Sequence, residues 1–392
     1  MSRSLTALVV ALVLMPQACA ASVEAAGDGQ QADDPPMRSG TWVIRNHTCP
    51  GGNRTDALHR DDDGRLWVGC GTAAAGYGLY SSQDGGHAWS RVTVAPASLL
   101  SQQFRVSSIS RGHDGALYVA GFESTTWNMV LRLDTAATPI AASVVLEGAS
   151  QVGRLFHVGG YRELSDGRAI AEALNSADLL YRPNASTGPS ASSWTVPGGP
   201  LFQILDLMVR NDQFFGVGST IAEPPRVFLP PTLPGAQPYE WSVMHLPTTG
   251  WTGEMWGVAT NASRLVAVGV DQDANIGKIY ISVGNPYNNS WFVRDLPDIV
   301  GSGGAGTWAR GVCMRGQNVV VVGERQPLGA GSGLVVLSVD GGQTFSNITP
   351  PGVSSTVSRC VIEPDGTLIV AGSSGFIGIR LGEAIFRHGF EG

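Results

Sequence analysis

The chain reads as an all-β protein, a seven-bladed β-propeller whose N-terminal strand closes the last blade. Three observations predict this. First, the stretch Gly64-Arg65-Leu66-Trp67-Val68-Gly69-Cys70 returns six times, with copies starting at 115, 167, 212, 263, 317 and 366. The steps are 51, 52, 45, 51, 54 and 49 residues, a near-constant period, and such a period marks a repeat architecture. Second, 52 Gly and 23 Pro punctuate 392 residues, which favours turns over long helices. Third, each copy sits inside the same order of four strand-like segments, and seven four-stranded units suit a propeller.

The elements follow in chain order. Arg3 and the apolar residues 5–15 resemble a secretory signal, with Ala18-Cys19-Ala20 placing cleavage after Ala20. An alternative reading anchors the chain by a lipid on Cys19. The apolar run is too short to span a bilayer. Residues 21–40 read as a flexible linker, residues 41–382 as the propeller and residues 383–392 as a C-terminal tail. The expected location is the periplasm or the exterior.

Thr41-Trp42-Val43-Ile44 has the pattern of a fourth strand but precedes the first complete repeat, while the last repeat lacks such a strand. Residues 41–46 are therefore expected to complete the last blade, pairing a sheet edge that would otherwise stay open. Within a repeat, an inner strand such as residues 105–110 or 357–362 leads into a turn. Four of these turns carry Asp-Gly (63–64, 114–115, 166–167 and 365–366), which predicts two-residue hairpins, since Gly accepts positive φ. The apolar second strand comes next. In the first repeat its Leu66 and Val68 are expected to pack between blades. A third strand and a fourth opening with an aromatic complete the unit, among them Trp89, Trp194, Trp241, Trp291 and Phe345.

The formal net charge is −7 and charged residues make up 15%, which argues against nucleic acid as the main partner, since phosphate binding needs a basic face. Of five cysteines, Cys49 and Cys70 flank the first repeat and are expected to pair. Cys313 and Cys360 lie on inner strands. With Arg310 aligned on Arg359 by distance from the repeat start, the two sulfurs share strand-face parity and should not face each other. Buried free thiols are the alternative for this pair.

Two hairpins carry the same signature, Ser82-x-Asp84-x-Gly86-x-x-Trp89 and Ser338-x-Asp340-x-Gly342-x-x-Phe345. On these residues the chain resembles the Asp-box (BNR) repeat propellers, the superfamily that includes sialidases. The resemblance implies a structural role: the Asp accepts backbone N–H groups across the turn and the aromatic packs beneath it. It also directs attention to arginines that could grip a carboxylate. Phe104-Arg105 opens an inner strand much as the family's F/Y-R-I-P motif does, and Arg310 and Arg359 lie on inner strands too. The proline is missing, Glu254 has no evident tyrosine partner, and the last tyrosine is Tyr287 in a loop. A nucleophile-and-acid set is therefore incomplete.

Asp271, Asp273 and Asn275 alternate like calcium-loop ligands but lack the Gly at the sixth place and the later Glu; an acidic hairpin loop is the plainer reading. No cofactor motif is legible. The expectation is a monomeric, non-catalytic module that binds a protein or glycan without a membrane span, with a diverged sialidase-like hydrolase of acidic sugars as the alternative.

Overall fold

The computed structural model describes residues 40–46, 49, 55–71, 78–101, 103–123, 127–148, 158–173, 179–197, 203–219, 224–247, 252–261, 263–301, 306–326, 332–353 and 356–381. The signal, most of the linker and the tail lie outside these residues. Among the described residues seven sheets, antiparallel but for one two-residue strand in blade 2, follow one another round a ring. The inner strands are Thr55–Arg60, Arg105–Arg111, Val158–Glu163, Gln203–Arg210, Gly253–Thr260, Thr307–Arg315 and Val357–Ile362. We number blades 1 to 7 in that order. Trp42–Asn46 pairs antiparallel with Phe376–Arg380 and supplies the outer strand of blade 7. Trp42 also donates its indole N–H to the Ile348 carbonyl of blade 6 at 2.8 Å, so the closing strand grips two blades.

The core is seven clusters, one per blade-to-blade interface. Leu66 and Val68 pack with Ile369, Ile377 and Ile379 between blades 1 and 7, while Trp67, on the opposite face, packs into blade 2. Alternating faces of a twisted strand thus feed two neighbouring interfaces. Burial of these aliphatic side chains is the main stabilising term, roughly 1.5–3 kcal/mol each.

Three local expectations need correction. The Asp-Gly turns are not two-residue hairpins. Arg60 pairs with Leu66, Arg111 with Leu117, Glu163 with Ala169 and Ile362 with Leu368, which leaves five residues in each turn. The Asp carboxylate accepts the amide two residues on, as Asp63 does from Arg65 at 3.0 Å, and Gly64 follows at φ +84°. The Asx interaction consumes residues that a tight hairpin lacks. A true two-residue turn is Asn211-Asp212, both at positive φ.

Second, blade 3 has three regular strands. Trp194 follows a short 3-10 turn, and Thr195 makes only a single bridge to Tyr181. Blade 2 instead gains a fifth strand, Val94–Ala95, parallel to the start of Ile140–Gly148.

Third, Cys313 and Cys360 form a disulfide, as do Cys49 and Cys70. Turn length, not distance from the repeat start, sets the parity here. Arg315 pairs with Asn318 across two residues in blade 6, whereas the blade 7 turn holds five. Strand pairing therefore aligns Cys360 with Val312, not with a position two away from Cys313. The two sulfurs sit on opposite strand faces and meet in the cluster between blades 6 and 7.

The two signature hairpins behave alike. Ser82 Oγ donates to Asp84 at 2.7 Å and accepts the Gly86 amide at 2.8 Å, while Asp84 accepts the Ala88 amide at 2.9 Å. Ser338, Asp340, Gly342 and Thr344 repeat this pattern. Gly86 and Gly342 stand at φ +90° and +92° and lie against Ile379 and Ile281 of the preceding blade. Trp89 and Phe345 join the adjoining clusters. Each hairpin therefore latches its blade to the one before.

Candidate functional site

The site begins with a backbone irregularity shared by all seven inner strands. Near its start, each slips by one residue against the second strand. The bulged residues are Asp56, Ser107, Gly159–Gly160, Leu205, Trp256, Arg310 and Ser358. A bulge re-aims a side chain and sharpens the local twist. Here it takes the bulged residue of each blade out of the ladder at the same end of the ring, which we call the mouth; in every blade but the third that residue carries a side chain.

In blades 7, 1 and 2 the bulged residues are small and polar. Ser358 Oγ donates to the Thr55 carbonyl at 2.8 Å, and Ser107 Oγ to the Val158 carbonyl at 2.7 Å. Asp56 accepts Arg105 Nε at 2.9 Å. Each links one blade to the next. Blades 4, 5 and 6 carry Leu205, Trp256 and Arg310 instead. Leu205, Trp256 and Val270 form an eighth cluster, apart from the seven interface cores, with Trp308 packed against it. The Arg310 guanidinium lies 4.1 Å from the Trp256 ring centroid and 4.5 Å from that of Trp308. Glu324 Oε1 accepts two of its N–H groups, at 3.0 and 2.6 Å. The indole N–H of Trp256 donates to Glu254 at 2.8 Å, and that of Trp308 donates to Asn275. Trp256 is 3% exposed, whereas Trp308 and Glu254 keep part of their surface in solvent.

The predicted residues divide accordingly. Glu254, Arg310 and Asn275 meet in this sector. Asp273 stands beside it and accepts the Thr252 amide and hydroxyl at 2.8 and 3.0 Å, while Asp271 accepts the Ala274 amide at 3.0 Å. Donors of the chain itself thus hold the oxygens of that loop, which is the four-residue connection of a hairpin. Arg105 lies at blade 2 over Phe122, paired with Asp56. Arg359 is 3% exposed and donates to the carbonyls of Asp56 and Ser358. Arg310 and Arg359 are not equivalent positions, since the bulge of blade 7 is Ser358. The three arginines do not converge on one open carboxylate position. Tyr287 donates its hydroxyl to the Pro230 carbonyl at 2.7 Å, and Glu254 serves Trp256.

Deeper in the ring stands a group the sequence did not flag. Gly159 and Gly160 have no side chains, so Glu172 of the second strand reaches over them; a Cβ on Gly160 would lie 2.8 Å from its Oε2. Burial, with Asp206 nearby, pushes the Glu172 carboxyl well above the ordinary range, against Arg162 and Arg359. Its Oε2 has no hydrogen-bond partner among the described residues. At the opposite end, Asp61 accepts His59 at 3.0 Å, Trp67 at 2.7 Å and Arg111 from the next blade. Burial opposes its ionisation, yet these donors hold its carboxyl well below the usual range. His113, Asp114 and Glu163 bring ligand atoms within 4.8 Å of one another. Arg132 on Asp114, with Arg182 and Tyr161 on Glu163, already balances these carboxylates.

Sequence reading missed Trp256, Trp308 and Glu324. Trp256 and Arg310 sit at the bulge, and no periodic pattern marks an inserted residue.

No protein-family model matches the chain, and no curated protein matches it. Solved structures do. The fold is similar to YCF48 bound to D1 peptide, with a TM-score of 0.60 at 15% identity, covering 89% of this chain and 99% of that one. It is similar to virginiamycin B lyase from Staphylococcus aureus with quinupristin, with a TM-score of 0.60 at 10% identity, covering 87% and 99%. The WD40 β-propeller domain of Doa1 gives 0.55 at 12% identity, covering 89% and 97%. At such identities the likeness is one of fold. Among the described residues no helix is long and apolar enough to cross a membrane.

Proposed function

We propose that this protein is an exported, non-catalytic binding module that captures a protein ligand at the mouth of blades 4 to 6. The observation that carries the proposal is the Trp256–Arg310–Trp308 stack. Tryptophan and arginine dominate binding hot spots, and they do so when held rigid beside a rim that excludes water. Glu254, Asn275 and Glu324 fix these three side chains by hydrogen bonds, so little side-chain entropy is lost when a ligand seats on them. Support by fold analogy comes from YCF48, whose structure holds a peptide. The matching geometry of the Ser82–Trp89 and Ser338–Phe345 hairpins supports membership of the Asp-box propellers, and the two disulfides suit an exported chain.

The test compares capture by wild type and Trp308→Ala. A specific protein partner bound at least about tenfold more weakly by the variant supports the reading. Hits on a glycan array that vanish in the same variant would replace the protein ligand with a glycan. Turnover of a fluorogenic sialoside, abolished by Arg105→Ala, would overturn the non-catalytic reading.

A further inference from the structure

The face opposite the mouth carries a second feature, independent of the tryptophan stack. Leu233 is 75% exposed, the most exposed large apolar side chain among the described residues. It lies in the connection 230–241, between the strands Arg226–Leu229 and Ser242–His245 of blade 4. The tip reads Pro230-Pro231-Thr232-Leu233-Pro234-Gly235, and no charged residue occurs between Arg226 and Glu240.

Both feet of the connection are tied down. The Pro230 carbonyl accepts the Tyr287 hydroxyl of blade 5 at 2.7 Å. The ring of Tyr239 meets that of Tyr181 edge-on at 4.7 Å, and Trp241 packs across Phe228 at 6.0 Å. Gln237 donates its amide to the Glu240 carboxylate at 2.8 Å. Between these anchors the Ala236 amide donates to the Leu233 carbonyl, with Gly235 at φ +80°. The prolines restrict the rest: each fixes its own φ and confines the residue before it to extended or polyproline-II backbone. Leu233 precedes Pro234, so the loop has little freedom to fold back and bury it.

We infer that residues 230–234 are a preformed recognition epitope, read by a partner domain with an aromatic-lined groove for polyproline-II segments. In that conformation three residues make one turn, so Pro231 and Pro234 share an edge and can seat together on aromatic rings. Leu233 then enters a neighbouring apolar pocket. The rigid loop lowers the ordering cost that a free proline-rich peptide bears on binding. The epitope carries no charge, so its binding depends little on salt, unlike grooves that add an ion pair to the proline contacts.

The test presents the purified full chain to a panel of purified SH3, WW and EVH1 domains on a biosensor surface. The expected result is capture by at least one domain, nearly equal at low and high salt. Leu233→Asp should weaken that capture about tenfold or more, and Pro231→Ala about threefold. Val196→Asp, an exposed apolar site on blade 3, and Trp308→Ala should leave it unchanged. Unaltered thermal unfolding of Leu233→Asp guards against a folding artefact. Capture by no domain, or capture indifferent to Leu233→Asp, overturns the inference. Capture lost in Trp308→Ala but not in Leu233→Asp moves the contact to the mouth and also overturns it. Failure here leaves the mouth proposal intact, because that one is read through Trp308.

Discussion

Two sectors of the mouth share one backbone and differ in what the bulge presents. In blades 7, 1 and 2, the bulged Ser358, Asp56 and Ser107 turn toward the neighbouring blade and are used up in holding it. In blades 4, 5 and 6, Leu205, Trp256 and Arg310 gather over one another, with Trp308 partly in solvent. A small polar bulge residue finds its hydrogen-bond partner on the neighbouring blade, a backbone carbonyl for Ser358 and Ser107 and the Arg105 side chain for Asp56, and so it locks. A large one overhangs the ring and builds surface. The same structural device therefore serves cohesion on one side and display on the other, and changes in the two sectors should have different readouts.

The largest expected effect lies in the locking sector. Asp56→Ala removes a buried carboxylate and leaves Arg105 without that partner, which should cost about 3 kcal/mol or more in urea unfolding and leave ligand capture per folded molecule unchanged. A loss of capture without a loss of stability would break the comparison.

Glu172 belongs to blade 3, which stands between the two sectors in blade order. Its folded-state pKa is raised, so it imposes no penalty below the unfolded value near 4.5 and an increasing one above it. Glu172→Gln should therefore stabilise the protein above pH 4.5, by about 1.4 kcal/mol for each pH unit until the folded group itself ionises, and do nothing at lower pH. Thermal unfolding across pH 4 to 8 checks this, on the order of one scan per pH unit. Equal melting of the two proteins at every pH would mean that the arginines offset the burial.

In the display sector the order of effects reverses. Trp308→Ala should weaken capture about tenfold while costing only about 1–2 kcal/mol in stability, since the side chain is partly exposed. The smallest change is Arg310→Lys. It keeps the charge but loses the guanidinium's contact with two indoles and its two-point contact with Glu324, and should cost about 1 kcal/mol in stability with a few-fold loss of capture. A larger stability loss for Arg310→Lys than for Asp56→Ala would assign locking to the wrong sector.

Most of the fold was legible in the sequence. The seven apolar second strands, the closing strand at Trp42 and the placing of Leu66 and Val68 between blades follow from a period near 50 residues and from alternation along single strands. Both are local, repeated signals, and each copy reinforces the others. The pairing of Cys49 with Cys70 followed from their positions beside one repeat. The candidate site was half legible: Glu254, Arg310 and Asn275 were singled out, but as separate features, and Trp256 and Trp308 passed as ordinary strand residues.

Tertiary structure alone decided which residue of each inner strand is bulged, and with it the facing of Cys313 toward Cys360 and the placing of Arg310 over two indoles. The reason is the two-residue period of a strand. One inserted residue, or a turn shorter by one, moves every following side chain to the other face, yet it leaves composition and repeat length almost unchanged. Pairing between strands fixes that parity, and the partner charges of Asp56 and Glu324 arrive with it: Asp56 meets Arg105 of the next blade, and Glu324 meets Arg310 from the neighbouring strand. The sequence by itself set the ring and its count of blades; strand register set which side chains the ring hides and which it shows.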